Sequence, residues 1–139
     1  MKNSKTILIF LAGLLTGFVF SVAFLPSYFT ERAPKNGENT ASVMIDSGEK
    51  IIICESEPRE GATAFDLLES CSEEKKFQFD FKVYEGMGVL IESIDGFASS
   101  DGKYWQYWVN NEYAQISSDN FKIFGGDVML WKLTDIVSE

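Results

Sequence analysis

From Ile7 to Phe29 the chain reads ILIFLAGLLTGFVFSVAFLPSYF, with no charge before Glu31, and this run bounds what the remainder can be. A helix apolar on every side cannot lie on a small soluble core, because nothing downstream is long enough to surround it. A membrane-spanning helix needs about 20 apolar residues, and Ile7 to Leu25 supplies 19 before Pro26. A cleaved signal needs an apolar stretch of about 7–15 residues and a small-x-small cut site, for which Ser21-Val22-Ala23 would serve. The run continues past that site, and Tyr28 and Phe29 suit an interfacial aromatic belt, which favours the uncleaved anchor. Lys2 and Lys5 hold the N-terminus inside. Segment 1–29 is therefore expected to be a signal anchor or a signal peptide, with the rest outside the cytoplasm. The protein would be a single-pass protein of the cell membrane, or secreted if the segment is cut. No cysteine falls in the segment, which argues against a lipid-linked anchor.

Setting that segment aside leaves about 100 residues, enough for one ordinary domain. Lys2 and Lys5 are two of the 12 positive residues, so the exported part sets 10 positives against 21 acids, a net charge of −11. Its field repels phosphate backbones, and nucleic acid is not expected as a partner. Histidine is absent, which removes the commonest general base near neutral pH and the commonest imidazole metal ligand. Asp95, Asp101, Asp119 and Asp127 sit among turn residues, but their spacing matches no calcium loop, and Asp serves turns through its own backbone hydrogen bonds. No metal and no catalytic residue is expected, so the chain reads as a binding protein and not as an enzyme.

Thr30 to Thr40 (TERAPKNGENT) is polar and has no apolar period, so 30–40 reads as a linker and 41–139 as the folded domain. Ala41–Asp46 and Lys50–Glu55 are β-rich runs around Ser47-Gly48-Glu49, a hairpin signature. Thr63 and Asp66 resemble a capping box. Phe65, Leu68 and Cys71 or Ser72, with Leu67 beside them, then describe an amphipathic helix to about Glu74, closed by Lys75 and Lys76. After it the period drops to 2. Phe77, Phe79, Phe81 and Val83 alternate with Gln78, Asp80 and Lys82, which predicts a strand with one buried aromatic face. Further strands are expected over Val89–Ile94, Tyr104–Val109, Tyr113–Ile116 and Val128–Leu133, with Asn110-Asn111 as a two-residue turn. Two strands, one helix, then four or five strands predict an α+β, β-grasp-like single domain, its helix packed across one mostly antiparallel sheet.

Three stretches carry a resemblance: Ser93-Ile94-Asp95-Gly96-Phe97-Ala98, then Lys103-Tyr104-Trp105-Gln106-Tyr107-Trp108-Val109-Asn110-Asn111, then Gly126-Asp127 with strand residues ending in Trp131-Lys132. Together, over about Ala41 to Thr134, they resemble the C-terminal domain of transcobalamin and intrinsic factor and the bacterial DUF4430-type surface domains similar to it. The resemblance implies a β-grasp-like fold. In the vertebrate carriers it implies a domain that covers one side of a corrinoid while a separate helical domain holds the other. That helical partner has no counterpart in this sequence, and half a clamp loses much of the buried area behind the carriers' affinity. Asn111 stands where the bacterial pattern usually has Gly, a change the fold tolerates because Asn also accepts left-handed geometry.

In a strand over 104–110, Trp105, Tyr107 and Val109 share one face while Tyr104, Gln106, Trp108 and Asn110 share the other. Only one face can meet the helix. The second set either packs across strands or forms an exposed patch for a planar ligand, a sugar face or a partner protein. With Phe97 from the neighbouring stretch, Tyr104, Gln106, Trp108 and Asn110 are the candidate ligand-binding residues. Cys54 and Cys71 lie where disulfides persist, and a bond between them or two buried thiols packing as small apolar groups are both open. The expected function is an extracytoplasmic, membrane-tethered binding module whose ligand, by the resemblance alone, is a corrinoid such as cobalamin. No other cofactor is expected. The alternative is a structural or protein-interaction module of the cell envelope, with a protein or glycan partner and no small-molecule ligand.

Overall fold

The computed structural model describes residues 37–136, and the apolar run 7–29 lies outside them. The elements are β1 (Ala41–Asp46), β2 (Ile51–Ser56), α1 (Ala64–Lys75), β3 (Phe79–Tyr84), β4 (Gly88–Ile94), β5 (Phe97–Ala98), β6 (Lys103–Val109), β7 (Glu112–Tyr113) and β8 (Val128–Asp135). Short polar side chains close the first hairpin. The Lys50 amide donates to Ser47 Oγ at 2.9 Å and the Gly48 amide to the Asp46 carboxylate at 2.8 Å, which sets β1 against β2 from Ala41↔Ser56 to Asp46↔Ile51.

The capping box at the start of α1 is formed. The Thr63 amide donates to the Asp66 carboxylate at 2.7 Å, and the Asp66 amide returns to Thr63 Oγ1 at 3.2 Å. Two further first-turn amides, Ala64 and Phe65, donate to the carbonyls of Phe121 and Ser118 at 2.9 and 3.0 Å. The free donors of a helix start are thereby met, and the 118–121 loop is tied to the helix. At the other end Lys76 takes the left-handed conformation, φ 61°. The helix buries Ala64, Leu67, Leu68, Cys71 and Ser72 over β1 and β2, where Cys54 and Cys71 form a disulfide with Cα atoms 5.9 Å apart.

Among the described residues the class is α+β, one helix on a strand-rich body, but the strands form two sheets where one was expected. Five strands run in the order β2-β1-β8-β6-β7, and three in the order β3-β4-β5. β1 and β8 are parallel and every other pair is antiparallel. The division follows from the turn after β5. Ser100 and Lys103 exchange backbone hydrogen bonds at 3.1 and 2.9 Å, and the reversed chain pairs with β8 from Lys103↔Asp135 to Val109↔Met129. On its far side β4 keeps only the short β5, at Ser93 and Ile94. Val43, Ile45, Leu68, Ile94 and Met129 fill the core between the two sheets and the helix.

The aromatic face expected on β3 is only half covered. Phe77 is buried and Phe79 half-buried, but Phe81 and Val83 are 46% and 66% exposed. The ring of Phe65 on α1 meets Phe79 and Phe81 edge-on at 5.6 and 5.0 Å, and cover ends where that ring ends. The strand expected over Tyr113–Ile116 is also shorter, since β7 stops at Tyr113. The Ala114 amide donates to the Tyr107 carbonyl at 3.0 Å and the Tyr107 hydroxyl to the Ile116 carbonyl at 2.7 Å, which turns the chain across that ring toward β4.

Candidate binding site

Strand β6 builds the site because its two sides are treated differently. It pairs with β8 along its whole length but with β7 only at Trp108 and Val109. Beside the part that β7 leaves uncovered, a groove of about 590 Å³ opens between β6 and β4, walled by Val89–Ile91, Tyr104–Tyr107, 113–118, Trp131 and Ile136. None of these side chains is charged. Leu90, Tyr104, Tyr113, Ile116 and Ile136 present exposed apolar surface there. An adjoining depression shares Leu90, Ile91 and Tyr104 and carries the carboxylates of Asp80 and Glu92.

The groove wall is rigid on its inner side. Tyr107 stacks on Trp131 with ring centroids 4.8 Å apart and meets Phe121 edge-on at 5.9 Å. Burial pushes the Tyr107 phenol well above its usual pKa, and the negative charge of Asp119 and the neighbouring Tyr113 add to this. The opposite wall is clipped to the 117–119 loop. The Val89 amide donates to Ser117 Oγ at 2.7 Å and to the Asp119 carboxylate at 3.2 Å, and Ser117 and Asp119 are themselves hydrogen-bonded. The Ser117 hydrogen bond outweighs partial burial and, with the Val89 amide, holds the Asp119 carboxyl below the ordinary range. Among the described residues no group of three or more Cys, Asp or Glu is placed to hold a metal, and no helix is long and apolar enough to cross a membrane.

Of the five residues expected to bind a ligand, the groove brings together two. Tyr104 stands in its wall, 42% exposed. Gln106 also lines it but is buried, and its Nε2 donates to the carbonyls of Thr134 and Asp135 at 3.3 and 2.8 Å, so part of its polarity is used to hold β8. Trp108 lies on the outer face of the larger sheet, half-buried against Tyr113 at 5.4 Å. Asn110 holds its own turn at φ 52°. Its Nδ2 donates to the Asp127 carboxylate at 2.8 Å and its Oδ1 accepts from the Val128 amide at 3.0 Å. Phe97 is half-buried in β5, and its carbonyl accepts from Trp105 Nε1 at 2.8 Å. Sequence reasoning missed Leu90, Ile116, Ser118 and Ile136. Nothing local marks them, because they become neighbours only when the 113–118 segment crosses to β4.

The fold and the groove define a small α+β domain with an apolar groove at the seam of two sheets, and sequence comparison places it in a family. Residues 61–135, more than half of the chain, match the model of a domain of unknown function, DUF4430, and the protein belongs to that family. Two solved structures share the fold. One is a presumed metal binding protein from Ruminococcus gnavus, with a TM-score of 0.56 and 18% identity, over 72% of this chain and 100% of that one. The other is haptocorrin in complex with Cbi, with a TM-score of 0.55 and 13% identity, over 74% of this chain. This chain spans only 27% of the haptocorrin chain. The likeness supports the transcobalamin resemblance at the level of fold. No curated protein matches the sequence.

Proposed function

We propose that this protein is an extracytoplasmic binding module, tethered through segment 1–29, whose β-grasp-like domain takes a ligand in the groove beside Tyr104. The observation that carries this reading is the groove itself. Its volume of about 590 Å³ falls among small-molecule sites, which combine apolar walls with a few convergent polar groups. Its lining is mostly apolar with a few hydroxyl and amide groups, which supports binding as the role. A corrinoid is the ligand class to which the resemblance points, and the likeness to haptocorrin, solved with Cbi, supports it.

The test is titration of the full-length protein with cobinamide and cobalamin, followed by tryptophan fluorescence and calorimetric heat. Saturable binding is expected, weakened at least about tenfold by Tyr104→Ala and unchanged by Val83→Ala on the far hairpin. No saturable binding at high micromolar ligand would remove the corrinoid.

One observation favours the second reading, an envelope module that meets a protein or glycan. Strand register aligns Ile53, Met44, Leu130, Trp108 and Tyr113 in a single row across the outer face of the five-stranded sheet. Aligned apolar side chains on an open sheet face are suited to a partner surface. On that reading Met44→Glu would abolish capture of an envelope partner and leave cobinamide titrations flat.

A further inference from the structure

Strand β3 ends the smaller sheet, in the order β3-β4-β5, and every residue of it after Phe79 is exposed. The direction of its backbone groups follows from Val89, across the ladder on β4. The Val89 amide donates to Ser117 Oγ at 2.7 Å, and the Val89 carbonyl oxygen lies 2.9 Å from the same hydroxyl. Both groups therefore turn away from β3. Opposed residues in an antiparallel ladder exchange both hydrogen bonds or neither, so Val83, opposite Val89, also turns its amide and carbonyl outward, to the free edge. Phe81, opposite Ile91 in the same unshifted register, does likewise. The register shift between Asp80 and Phe81 places the extra residue, Glu92, on β4, so alternation along β3 is unbroken and Phe79 follows.

Natural sheet edges are guarded by brevity, proline, bulges or charge. The edge strands β5 and β7 hold two residues each. β3 has six residues, with no proline and no bulge of its own, and apolar Phe81 and Val83 stand exposed on it. A lysine is a common guard, and Lys82 is one, but Asp80 two residues earlier supplies its opposite charge. Among the described residues neither is in an ion pair.

These charges select one way of pairing β3 with another β3. Antiparallel partners must bring outward-facing Phe79, Phe81 and Val83 opposite one another to exchange hydrogen bonds. Centred on residue 80, such a pairing sets Asp80 against Asp80. Centred on residue 82, it sets Lys82 against Lys82. Centred on Phe81, it sets each Asp80 against the Lys82 of the other copy, Phe79 against Val83, and Phe81 against Phe81. Opposite charges and aromatic pairs directly across a ladder stabilise it, whereas like charges destabilise it. The edge strand β2, by contrast, carries the single charge Glu55, which selects no register.

We propose that β3 is a self-association edge, on which a second copy of this chain pairs antiparallel about Phe81 and joins the two smaller sheets into one. The contact is isologous, so it closes as a two-fold dimer. It is independent of the groove, which lies on the other side of β4.

The experiment uses the full-length protein in density-matched detergent micelles, with association followed by sedimentation equilibrium and register by disulfide trapping. The parent protein is expected to form a dimer. Lys82→Asp should weaken it at least about tenfold, and Asp80→Lys/Lys82→Asp, which exchanges the charges, should restore it to within about twofold. Phe81→Cys should trap a covalent dimer, since Cα atoms of a bonded antiparallel pair lie about 5.5 Å apart, within disulfide reach. Val83→Cys should not, because its counterparts would be displaced by about 14 Å along the strands. A parent protein that stays monomeric would overturn the proposal. Equal trapping at 81 and 83 would overturn it, as would a folded double variant that fails to recover the dimer. Phe81 and Val83 amides protected from hydrogen exchange in a monomer would overturn it too, since something other than a second copy would then cover the edge.

Discussion

The side chain of Ser117 occupies the space where a β-carbon on residue 88 would have to sit, so Gly88 is what allows the β3–β4 hairpin to reach the 117–119 loop. Its φ of +96° adds a second reason for glycine. Through this contact the Val89 amide reaches Ser117 and Asp119, and the outer wall of the groove is set.

Gly88→Ala should therefore destabilise the domain by about 3 kcal/mol, combining overlap with left-handed strain. Gly86→Ala is the control, since φ is +76° there but the space is open, and it should cost about 1 kcal/mol. Chemical denaturation of the two variants measures the difference. Equal losses would mean that the Ser117 contact does not constrain residue 88.

The same clip makes the groove wall sensitive to acid. Asp119 titrates below its ordinary value of 3.8 because the native state hydrogen-bonds its charged form. Its contribution is therefore complete above about pH 4 and is lost as pH falls through the lowered native value. Asp119→Asn should flatten the stability curve in that window, measured by denaturation between pH 2 and pH 5. A variant that tracks the parent protein at every pH in that range would contradict the assignment.

At the alkaline end the sign reverses. Burial raises the Tyr107 phenol above its ordinary value of 10.0, so the native state holds the proton more tightly than the unfolded chain. Stability is intact below about pH 10 and declines as pH rises beyond it. Tyr107→Phe should remove that decline. It should also cost about 1 kcal/mol at neutral pH through loss of the hydroxyl bond to the Ile116 carbonyl, read from thermal unfolding at pH 7 and pH 11.

Linking Cys54 to Cys71 closes a loop of 17 residues and should contribute about 3 kcal/mol in the chain-entropy account. Native protein treated with alkylating agent without reductant should show no modified cysteine by mass spectrometry, and Cys54→Ala/Cys71→Ala should lower the denaturation midpoint accordingly. Two modified thiols in native protein would refute the bond.

Much of the domain was legible locally. Thr63 and Asp66 announced the capping box because both bonds are made within one turn. Ser47-Gly48-Glu49 and Asn110-Asn111 announced hairpins because a turn is set by the few residues it contains, and both asparagines do take positive φ, 52° and 67°. The β3 alternation identified a strand but overstated its burial. Period 2 says which side chains share a face, whereas cover depends on what Phe65 can reach from another element.

The candidate residues divided along the same line. The sequence by itself determined that one α+β domain follows a long apolar segment and that Tyr104 and Trp108 share a strand face, because these depend on hydrophobic period and turn chemistry within short stretches. It also determined the family, because the Tyr-Trp-Gln stretch, the Asn turn and the later Gly-Asp recur in order along the chain. Only the tertiary structure decided that Gln106 and Asn110 spend hydrogen-bonding capacity on β8 and the 127–128 turn. The same holds for the division into two sheets and the groove they leave at Tyr104. Those features depend on contacts between residues far apart in sequence, made when β6 turns to β8 and the 113–118 segment crosses to β4, and no local pattern encodes which distant partner will be met.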